Sequence, residues 1–244
     1  MIQDVIIGLY KLSDENRSID VEEAMQHYMA IKYPTRDFHS ASGYVRGRDL
    51  LSVILPCELF FEANGLKVLD GTIVHGRFTK KSCAALIATV ARDFGGDVAV
   101  RFISDAQRLA ISFLFNEGFT CSMDDCFTTT STLAAEELHR LLDRADWSTA
   151  DEEKSMVKMQ HAMDVAGTVA ERGSRARNFT EMISSGSKGT VINKLQIQAC
   201  VGQQTVGGQR ILAGGALPSM LEASHPTSHG FVTCLLYTSP SPRD

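Results

Sequence analysis

The 244-residue sequence has no surplus of basic residues, no regular cysteine spacing and no long unbroken apolar run. Its net charge is −5, so the chain as a whole does not attract nucleic acid, and any contact with DNA or RNA must be local. The apolar run from Leu50 to Phe61 is broken by Pro56 and Glu58, and Asp4 lies close to the start. We therefore expect neither a signal peptide nor a membrane-spanning segment.

Residues that could bind a metal or act as a nucleophile form no recognisable motif. Cys121 and Cys126 are the closest cysteine pair, and no second pair completes a zinc site, so we interpret the cysteines as reduced thiols in an intracellular protein. Asp124 and Asp125 are adjacent and point in different directions, and no His-x-x-x-His pair occurs. The order of residues around Lys188 excludes a Walker A loop. We predict no metal site and no catalytic residue.

The first half of the chain predicts a mixed α and β structure. Its clearest strand signal is the alternating segment from Leu66 to Val74, whose central Asp70-Gly71 pair is typical of a tight hairpin. Two helices are predicted within residues 1 to 33, the second capped by Asp20 with Glu23 reaching back. Further helices are predicted at 49–55, 82–93 and 99–115, the last two separated by Gly95-Gly96.

From Thr132 onward the pattern is mainly helical. Leucines and alanines repeat on one face of a first helix, and methionines and alanines on one face of a second. The apolar positions are Leu138, Leu141, Leu142 and Ala145, then Met156, Met159, Met163, Ala166 and Ala170. Thr149 and Glu152 fit a capping box for the second helix. We predict an antiparallel helical hairpin sealed along this Leu/Met/Ala seam, and a domain boundary near residue 128. The fold class is α+β.

The segment from Ser185 to Thr190 ends one helix and begins another. Gly186 and Gly189 let the backbone approach a ligand, Lys188 adds a full positive charge, and the first helical turn offers unpaired amides. Phosphate is the ligand that this pattern predicts. The alternative is a glycine C-cap followed by an ordinary helix start, with Lys188 simply solvated.

Carboxamides dominate the next helix. Asn193, Gln196, Cys200 and Gln203 are predicted on one face, with Ile192, Leu195 and Ala199 beside it on the core side. Carboxamides donate and accept hydrogen bonds without charge, so such a face could line a hydrated channel, although an ordinary solvated face has the same spacing. Arg210, after Gly207-Gly208, could bind a phosphate or carboxylate, or pair with an acid of its own protein.

These residues belong to a longer ordered string. The string comprises Asn178-Phe179, Met182, Ser185-Gly186-Ser187-Lys188-Gly189-Thr190, Asn193, Gln196, Cys200-Val201-Gly202-Gln203-Gln204 and Gly208-Gln209-Arg210-Ile211. It resembles the funnel region of the largest subunit of multisubunit DNA-directed RNA polymerases, in the form found in eukaryotes, archaea and large DNA viruses. Residues 47–56, 70–76 and 113–120 are similar to parts of the pore domain of the same subunit.

The resemblance implies a domain organisation. Residues 1–47 would be helices continuing from an active-site domain, 48–128 the pore domain, 129–212 the funnel domain with its helical hairpin, and 213–233 the start of a cleft domain. Residues 234–244 resemble the translation of a transposase sequencing adapter, so we expect them not to be part of the natural protein, which would continue beyond Thr233.

The resemblance also implies a function in DNA-templated RNA synthesis. The segment would line the channel through which nucleoside triphosphates reach the active centre, with Lys188, Gly186 and Gly189 near the phosphates. The residues that would support the bridge helix are Asn178, Asn193, Gln196, Gln203, Gln204 and Arg210. No Asp-Phe-Asp-Gly-Asp occurs here, so this part could not catalyse alone and would hold no cofactor, whereas the parent enzyme uses magnesium and zinc.

Partners implied by the resemblance are the other polymerase subunits, especially the second-largest, the triphosphate substrates, the DNA template and RNA, and a transcript cleavage factor, but no membrane. The location would be the nucleus, or a cytoplasmic virus factory for a viral source. Two rival hypotheses are a stand-alone helical interaction module that uses the Leu/Met seam, and a small nucleotide-binding enzyme. Surfaces that face other subunits should leave apolar patches exposed.

Overall fold

The computed structural model describes residues 3–38, 43–144, 152–174 and 177–206, and the short strands at 209–210 and 231–232. Contacts divide the chain into two compact units, Met1–Thr120 with Thr180–Gly189, and Cys121–Phe179 with Thr190–Asp244. Throughout the described ranges, no helix has the length and apolar content needed to cross a bilayer. The adapter-like residues 234–244 and most of the predicted cleft start lie outside the described residues. The domain boundaries above stay a prediction.

The first unit is a mixture of helices and small antiparallel sheets, and together with the second it gives the predicted α+β class. Its elements in chain order are α1 (Gln3–Leu12), β1 (Ser18–Asp20), α2 (Val21–Met29), β2 (Tyr44–Arg46), α3 (Gly47–Ser52), β3 (Phe61–Ala63), β4 (Leu66–Leu69), β5 (Thr72–His75), α4 (Lys80–Phe94) and α5 (Gly96–Glu117). The end of α9 (Arg177–Ser185) also belongs to it.

The core of the first unit is built where α1 packs against α5. Ile6 and Leu9 of α1 and Leu109 and Phe113 of α5 are almost completely buried. Gly8 allows close contact between the two helices, because a Cβ at this position would lie 2.8 Å from the carbonyl oxygen of Ala110. A bulkier residue there would force the helices apart.

The predicted hairpin is confirmed, with Asp70 and Gly71 at φ +48° and +66° between β4 and β5. The structure adds a third strand, β3, which pairs antiparallel with β4. The turn joining β3 to β4 is Asn64-Gly65, also at positive φ. Asn-Gly is as typical of a tight turn as Asp-Gly, so the strand before it could have been predicted from the sequence.

Asp20 caps α2 as predicted, accepting a hydrogen bond from the Glu22 amide at 2.8 Å. The prediction that Glu23 reaches back to complete the cap is wrong: its Oε1 lies 3.3 Å from Nε2 of the buried His27. Helices α4 and α5 are confirmed, and Gly95 separates them at φ +92°.

The second unit consists mainly of helices. Its elements are α6 (Met123–Cys126), α7 (Ser131–Arg144), α8 (Glu152–Arg172), the start of α9, α10 (Val191–Gln198), β6 (Gly202–Gln203), β7 (Thr205–Val206), β8 (Gln209–Arg210) and β9 (Phe231–Val232). The strands form two short antiparallel pairs, β6 with β9 and β7 with β8.

Helices α7 and α8 form the predicted antiparallel hairpin. The hydroxyl of Thr130, just before α7, donates to the carbonyl of Val169 near the end of α8 at 2.8 Å, so the helices run in opposite directions. A buried seam joins them, formed by Leu138, Leu142, Met159, Ala162, Met163 and Ala166, with Cys200. Because the hairpin itself closes this seam, the seam is not available to a partner, contrary to the rival interaction-module hypothesis. Ala145 and Thr149 lie outside the described residues.

Candidate functional site

The turn after α9 is fixed by two buried serines. The Ser185 hydroxyl donates to the carbonyl of Met182 at 3.0 Å, and its oxygen accepts the amide of Ser187 at 3.3 Å. The Ser187 hydroxyl donates to the same Met182 carbonyl at 3.1 Å. Because all of these groups are satisfied within the turn, its backbone is held in one conformation.

Gly186 and Gly189 provide the left-handed backbone that the turn requires, with φ of +73° and +75°. The Gly186 amide donates to the carbonyl of Ile183 at 3.0 Å and ends α9 as a C-cap. A Cβ on Gly186 would lie 3.2 Å from the Cβ of Lys80, the first residue of α4. Gly186 therefore forms the glycine C-cap that the sequence predicts as the alternative to a phosphate site.

Lys188 is exposed at this turn. Among the described residues, no carboxylate forms an ion pair with its ammonium group. The C-cap uses only backbone and serine groups, so it leaves the Lys188 side chain available to an anion from solution. A fixed turn that presents an available lysine is compatible with the predicted phosphate contact, and with simple solvation.

The start of α10 is occupied by its own side chains. Thr190 and Asn193 form a capping box, in which the Thr190 amide donates to Asn193 Oδ1 at 2.9 Å and the Asn193 amide donates to Thr190 Oγ1 at 3.3 Å. The Asn193 amide is therefore not available to a phosphate at this helix start. The Asn193 carboxamide oxygen is likewise used within its own helix.

The predicted orientation of α10 is wrong in several respects. Ile192, expected on the core side, is 58% exposed, whereas Lys194 and Gln198 are buried. The helix ends at Gln198, so Cys200 and Gln203 do not extend its face. The physical reason is that the two buried polar side chains have partners inside the second unit. Lys194 forms an ion pair with Glu171 at 2.8 Å, and the side-chain amide of Gln198 donates a hydrogen bond to the backbone carbonyl of Asp125.

Asp125 and Gln198 form a buried polar cluster that the sequence prediction missed. The Gln198 amide group donates to the Asp125 carbonyl at 2.8 Å and to Ser174 Oγ at 3.1 Å. The Asp125 carboxylate accepts from the Ser122 amide at 2.9 Å and the Asn178 amide at 3.3 Å. The spacing of Ser122 and Asp125 is that of a capping box, so this signal was present in the sequence.

The remaining side-chain amides that were predicted to form one polar face have separate surroundings in the described residues. Gln196 is half-buried and donates to the Val201 carbonyl at 3.5 Å, and the Gln203 amide donates to the neighbouring Gln204 carbonyl at 2.9 Å. Gln204 is exposed, and Asn178 lies in the first turn of α9. Arg210 lies in β8 opposite Thr205, and its side chain is outside the described residues.

The free thiols of Cys121 and Cys126 lie close to Asp125. Burial, together with the negative charge of Asp125, raises the pKa of both thiols above 9.0. In the part of the chain that the structure describes, no three His, Cys, Asp or Glu side chains are grouped so as to hold a metal ion. That this part of the chain holds neither magnesium nor zinc, the metals that the resemblance implies for the parent enzyme, stays a prediction.

Two adjoining family models match most of the chain. The model of RNA polymerase Rpb1, domain 3, matches residues 1–126, and that of RNA polymerase Rpb1, domain 4, matches residues 134–232. The DNA-directed RNA polymerase subunit Rpo1N of Halobacterium salinarum is 28% identical over an alignment of 255 positions, which covers 87% of this chain.

Viral and eukaryotic relatives agree with these matches. DNA-directed RNA polymerase subunit 1 of Acanthamoeba polyphaga mimivirus is 24% identical over an alignment of 233 positions, which covers 86% of this chain. DNA-directed RNA polymerase II subunit RPB1-B of Trypanosoma brucei brucei is 27% identical over an alignment of 276 positions, which covers 94% of this chain. The chain spans 26% of the archaeal relative and 16% of each of the other two. It belongs to the RNA polymerase Rpb1 family.

Proposed function

We propose that this chain is the pore and funnel segment of the largest subunit of a DNA-directed RNA polymerase. In this role it lines the channel through which nucleoside triphosphates reach the active centre. Its matches to two consecutive Rpb1 domains and its similarity to polymerase subunits from three kinds of organism support the segment assignment. The exposed Lys188 on its fixed, glycine-flanked turn is the single observation that carries the channel role.

The geometry of the turn supports a phosphate contact by Lys188. The ammonium group is a compact positive charge on a flexible stem, and the buried hydroxyls of Ser185 and Ser187 hold the backbone beneath it. Binding a triphosphate therefore requires ordering of one side chain and not of the loop. An exposed charge contributes about 1 kcal/mol, so the contact should change nucleotide affinity by about fivefold.

Interaction with the other polymerase subunits, the second-largest above all, belongs to the same proposal. Large apolar side chains are exposed on α2 and α5, with Met29 at 78%, Ile111 at 54% and Phe115 at 89%. Such groups are typical of surfaces that another chain covers. DNA, RNA and a transcript cleavage factor would be partners of the assembled enzyme, in a nucleus or a virus factory. Catalytic magnesium would be held by other parts of the subunit.

Steady-state RNA synthesis by the reconstituted parent polymerase tests the role of Lys188. We expect Lys188→Ala to raise the KM for nucleoside triphosphates by about threefold to tenfold with kcat nearly unchanged, and Lys188→Arg to retain most of the affinity. Lys81→Ala, which removes another exposed lysine, is the matched control and should have no effect. A KM for Lys188→Ala equal to that of the wild type would refute the phosphate contact.

A further inference from the structure

A cavity of about 630 Å³ in the first unit has no role in the proposed function. It lies between the segment after α2, the segment after α3, and the junction of α4 with α5. This volume falls within the range of sites that bind small organic molecules, about 300 to 1,000 Å³.

The cavity has an apolar interior. Ile54 and Phe102 line it and are 3% and 2% exposed, and Pro56 is also buried. Phe94 and Val98, from the end of α4 and the start of α5, are half-buried in its wall. A ligand with an apolar body would gain affinity by displacing water from these side chains.

Two cations line the cavity, and each lies over the ring of Tyr33. The Lys32 ammonium is 5.1 Å and the Arg101 guanidinium carbon 5.3 Å from the centroid of the Tyr33 ring, which is 40% exposed. Neither cation forms an ion pair with a carboxylate of the described residues. Glu58 is the one acidic residue among those that line the cavity, so two cations accompany one carboxylate in its lining. An anion bound in the cavity would gain charge-assisted contacts with a cation.

The backbone that carries these groups is fixed before any ligand binds. Asp105 of α5 is 1% exposed, and its carboxylate accepts the amides of Lys32 at 2.9 Å and Tyr33 at 2.8 Å. Thr35 donates its amide and its hydroxyl to the Val53 carbonyl at 2.8 and 2.7 Å. Little backbone entropy would therefore be lost on binding, which favours a specific site over an incidental depression.

We propose that this cavity binds an amphipathic anion. The apolar body, about the size of one or two aromatic rings, packs on Ile54, Phe94 and Phe102, and one carboxylate, sulfonate or phosphate-ester group is held by the positive charges of Lys32 and Arg101. This proposal does not depend on the role of Lys188, because none of the residues of the Lys188 turn lines the cavity.

Two fluorescent probes applied to the 244-residue chain test the proposal. Anilinonaphthalene sulfonate carries an apolar ring system and an anion, and N-phenylnaphthylamine carries a similar ring system without charge. We expect the double variant Lys32→Ala, Arg101→Ala to bind the sulfonate about tenfold more weakly and the neutral probe within twofold of the wild type. The matched control Arg108→Ala, an exposed cation elsewhere on α5, should bind both probes like the wild type.

Val98→Trp fills the cavity and should weaken the binding of both probes by at least tenfold. Its circular dichroism and melting temperature show whether the fold is retained. The proposal is overturned if the double variant binds the sulfonate as tightly as the wild type, or loses the neutral probe to the same extent. It is also overturned if a folded Val98→Trp variant binds both probes normally, because the probes would then bind another surface.

Discussion

Asp125 joins three parts of the second unit, although its neighbour Asp124 is exposed. The Asp125 carboxylate accepts amides from Ser122 and from Asn178 at the start of α9, and its backbone carbonyl accepts the Gln198 side chain of α10. One residue thus accepts hydrogen bonds from three residues of the second unit. A group that accepts several buried donors contributes more than a single surface hydrogen bond.

Replacing this carboxylate should destabilise the second unit. We expect Asp125→Ala to lower the free energy of unfolding by about 2 to 3 kcal/mol, because the amides of Ser122 and Asn178 lose their acceptor. Asp124→Ala is the matched control, and we expect a change within about 0.5 kcal/mol. Urea denaturation followed by circular dichroism measures both. Equal stability of the two variants would show that the cluster does not support the unit.

At the scale of elements, the end of α1 is connected to both α5 and α9. The Lys11 ammonium lies 3.1 Å from Glu117 of α5 and 3.4 Å from Glu181 of α9, and Arg17 also pairs with Glu117 at 2.6 Å. Burial raises the pKa of Glu117, but the hydrogen bonds and charges of Arg17 and Lys11 outweigh it, so the pKa is lowered from 4.5. The stability that Glu117 contributes is therefore present above pH 4.5 and lost as pH falls through the lowered pKa.

Removing Lys11 should loosen the helix that carries the candidate turn. We expect Lys11→Ala to lower the free energy of unfolding by about 1 to 2 kcal/mol, since two nearby carboxylates lose a shared cation. Adding Glu181→Gln should recover part of this loss by removing one of the two negative charges. Denaturation at pH 7 and amide hydrogen exchange in α9 provide the measurements. A double variant less stable than Lys11→Ala alone would contradict the shared-cation account.

Elements with a strong periodic or turn signal could be predicted from the sequence. The Asp70-Gly71 hairpin and the Leu138 to Met163 seam follow from local rules that their tertiary surroundings reinforce. The orientation of α10 could not be predicted, because Lys194 and Gln198 resemble solvent-facing residues until Glu171 and Asp125 are placed beside them. Partners distant in sequence decide which polar residues are buried.

The sequence predicts the backbone of the candidate site better than it predicts what the side chains of the site bind. Gly186 and Gly189 have the positive φ that their residue type favours, and Lys188 is exposed, as a lysine between two glycines suggests. The use of Asn193 as a cap could have been read from Thr190 three residues earlier. Exposure of Lys188 does not by itself identify a ligand, because the same geometry serves a solvated side chain.

At the scale of the whole molecule, each compact unit contains one buried thiol among its described residues. Cys83 belongs to the core of the first unit and Cys200 to that of the second. Burial raises the pKa of each from 9.0 to about 12. At pH 8 only about one thiol in ten thousand would then be ionised in the folded chain, so both should be unreactive. Cys57 and Cys121 are exposed and should react before either buried thiol.

These thiols allow the unfolding of each unit to be followed separately. We expect alkylation at pH 8, located by peptide mass spectrometry, to reach Cys57 quickly and Cys83 and Cys200 only on unfolding. Asp125→Ala should accelerate labelling of Cys200 while leaving that of Cys83 unchanged. Labelling of Cys200 as fast as that of Cys57 in the wild type would contradict the buried seam.

Alkaline pH should weaken both cores. Below pH 9.0 each thiol is protonated in the folded and the unfolded chain, whereas between pH 9.0 and about 12 only the unfolded chain releases the proton. The free energy of unfolding should therefore fall as pH rises through this interval. Each thiol should lower it by up to about 1.4 kcal/mol per pH unit, the slope for release of one proton. Cys200→Ala should reduce the slope for the second unit, and an unchanged slope would exclude this thiol as its source.

Chemical footprinting of lysines in the assembled parent polymerase tests the channel role of Lys188 most directly. Acetylation by an N-hydroxysuccinimide ester, with and without saturating nucleoside triphosphate, reports whether the substrate covers each ammonium group. We predict that triphosphate slows acetylation of Lys188 severalfold and leaves that of Lys81 unchanged. Equal acetylation of Lys188 with and without triphosphate would contradict the account.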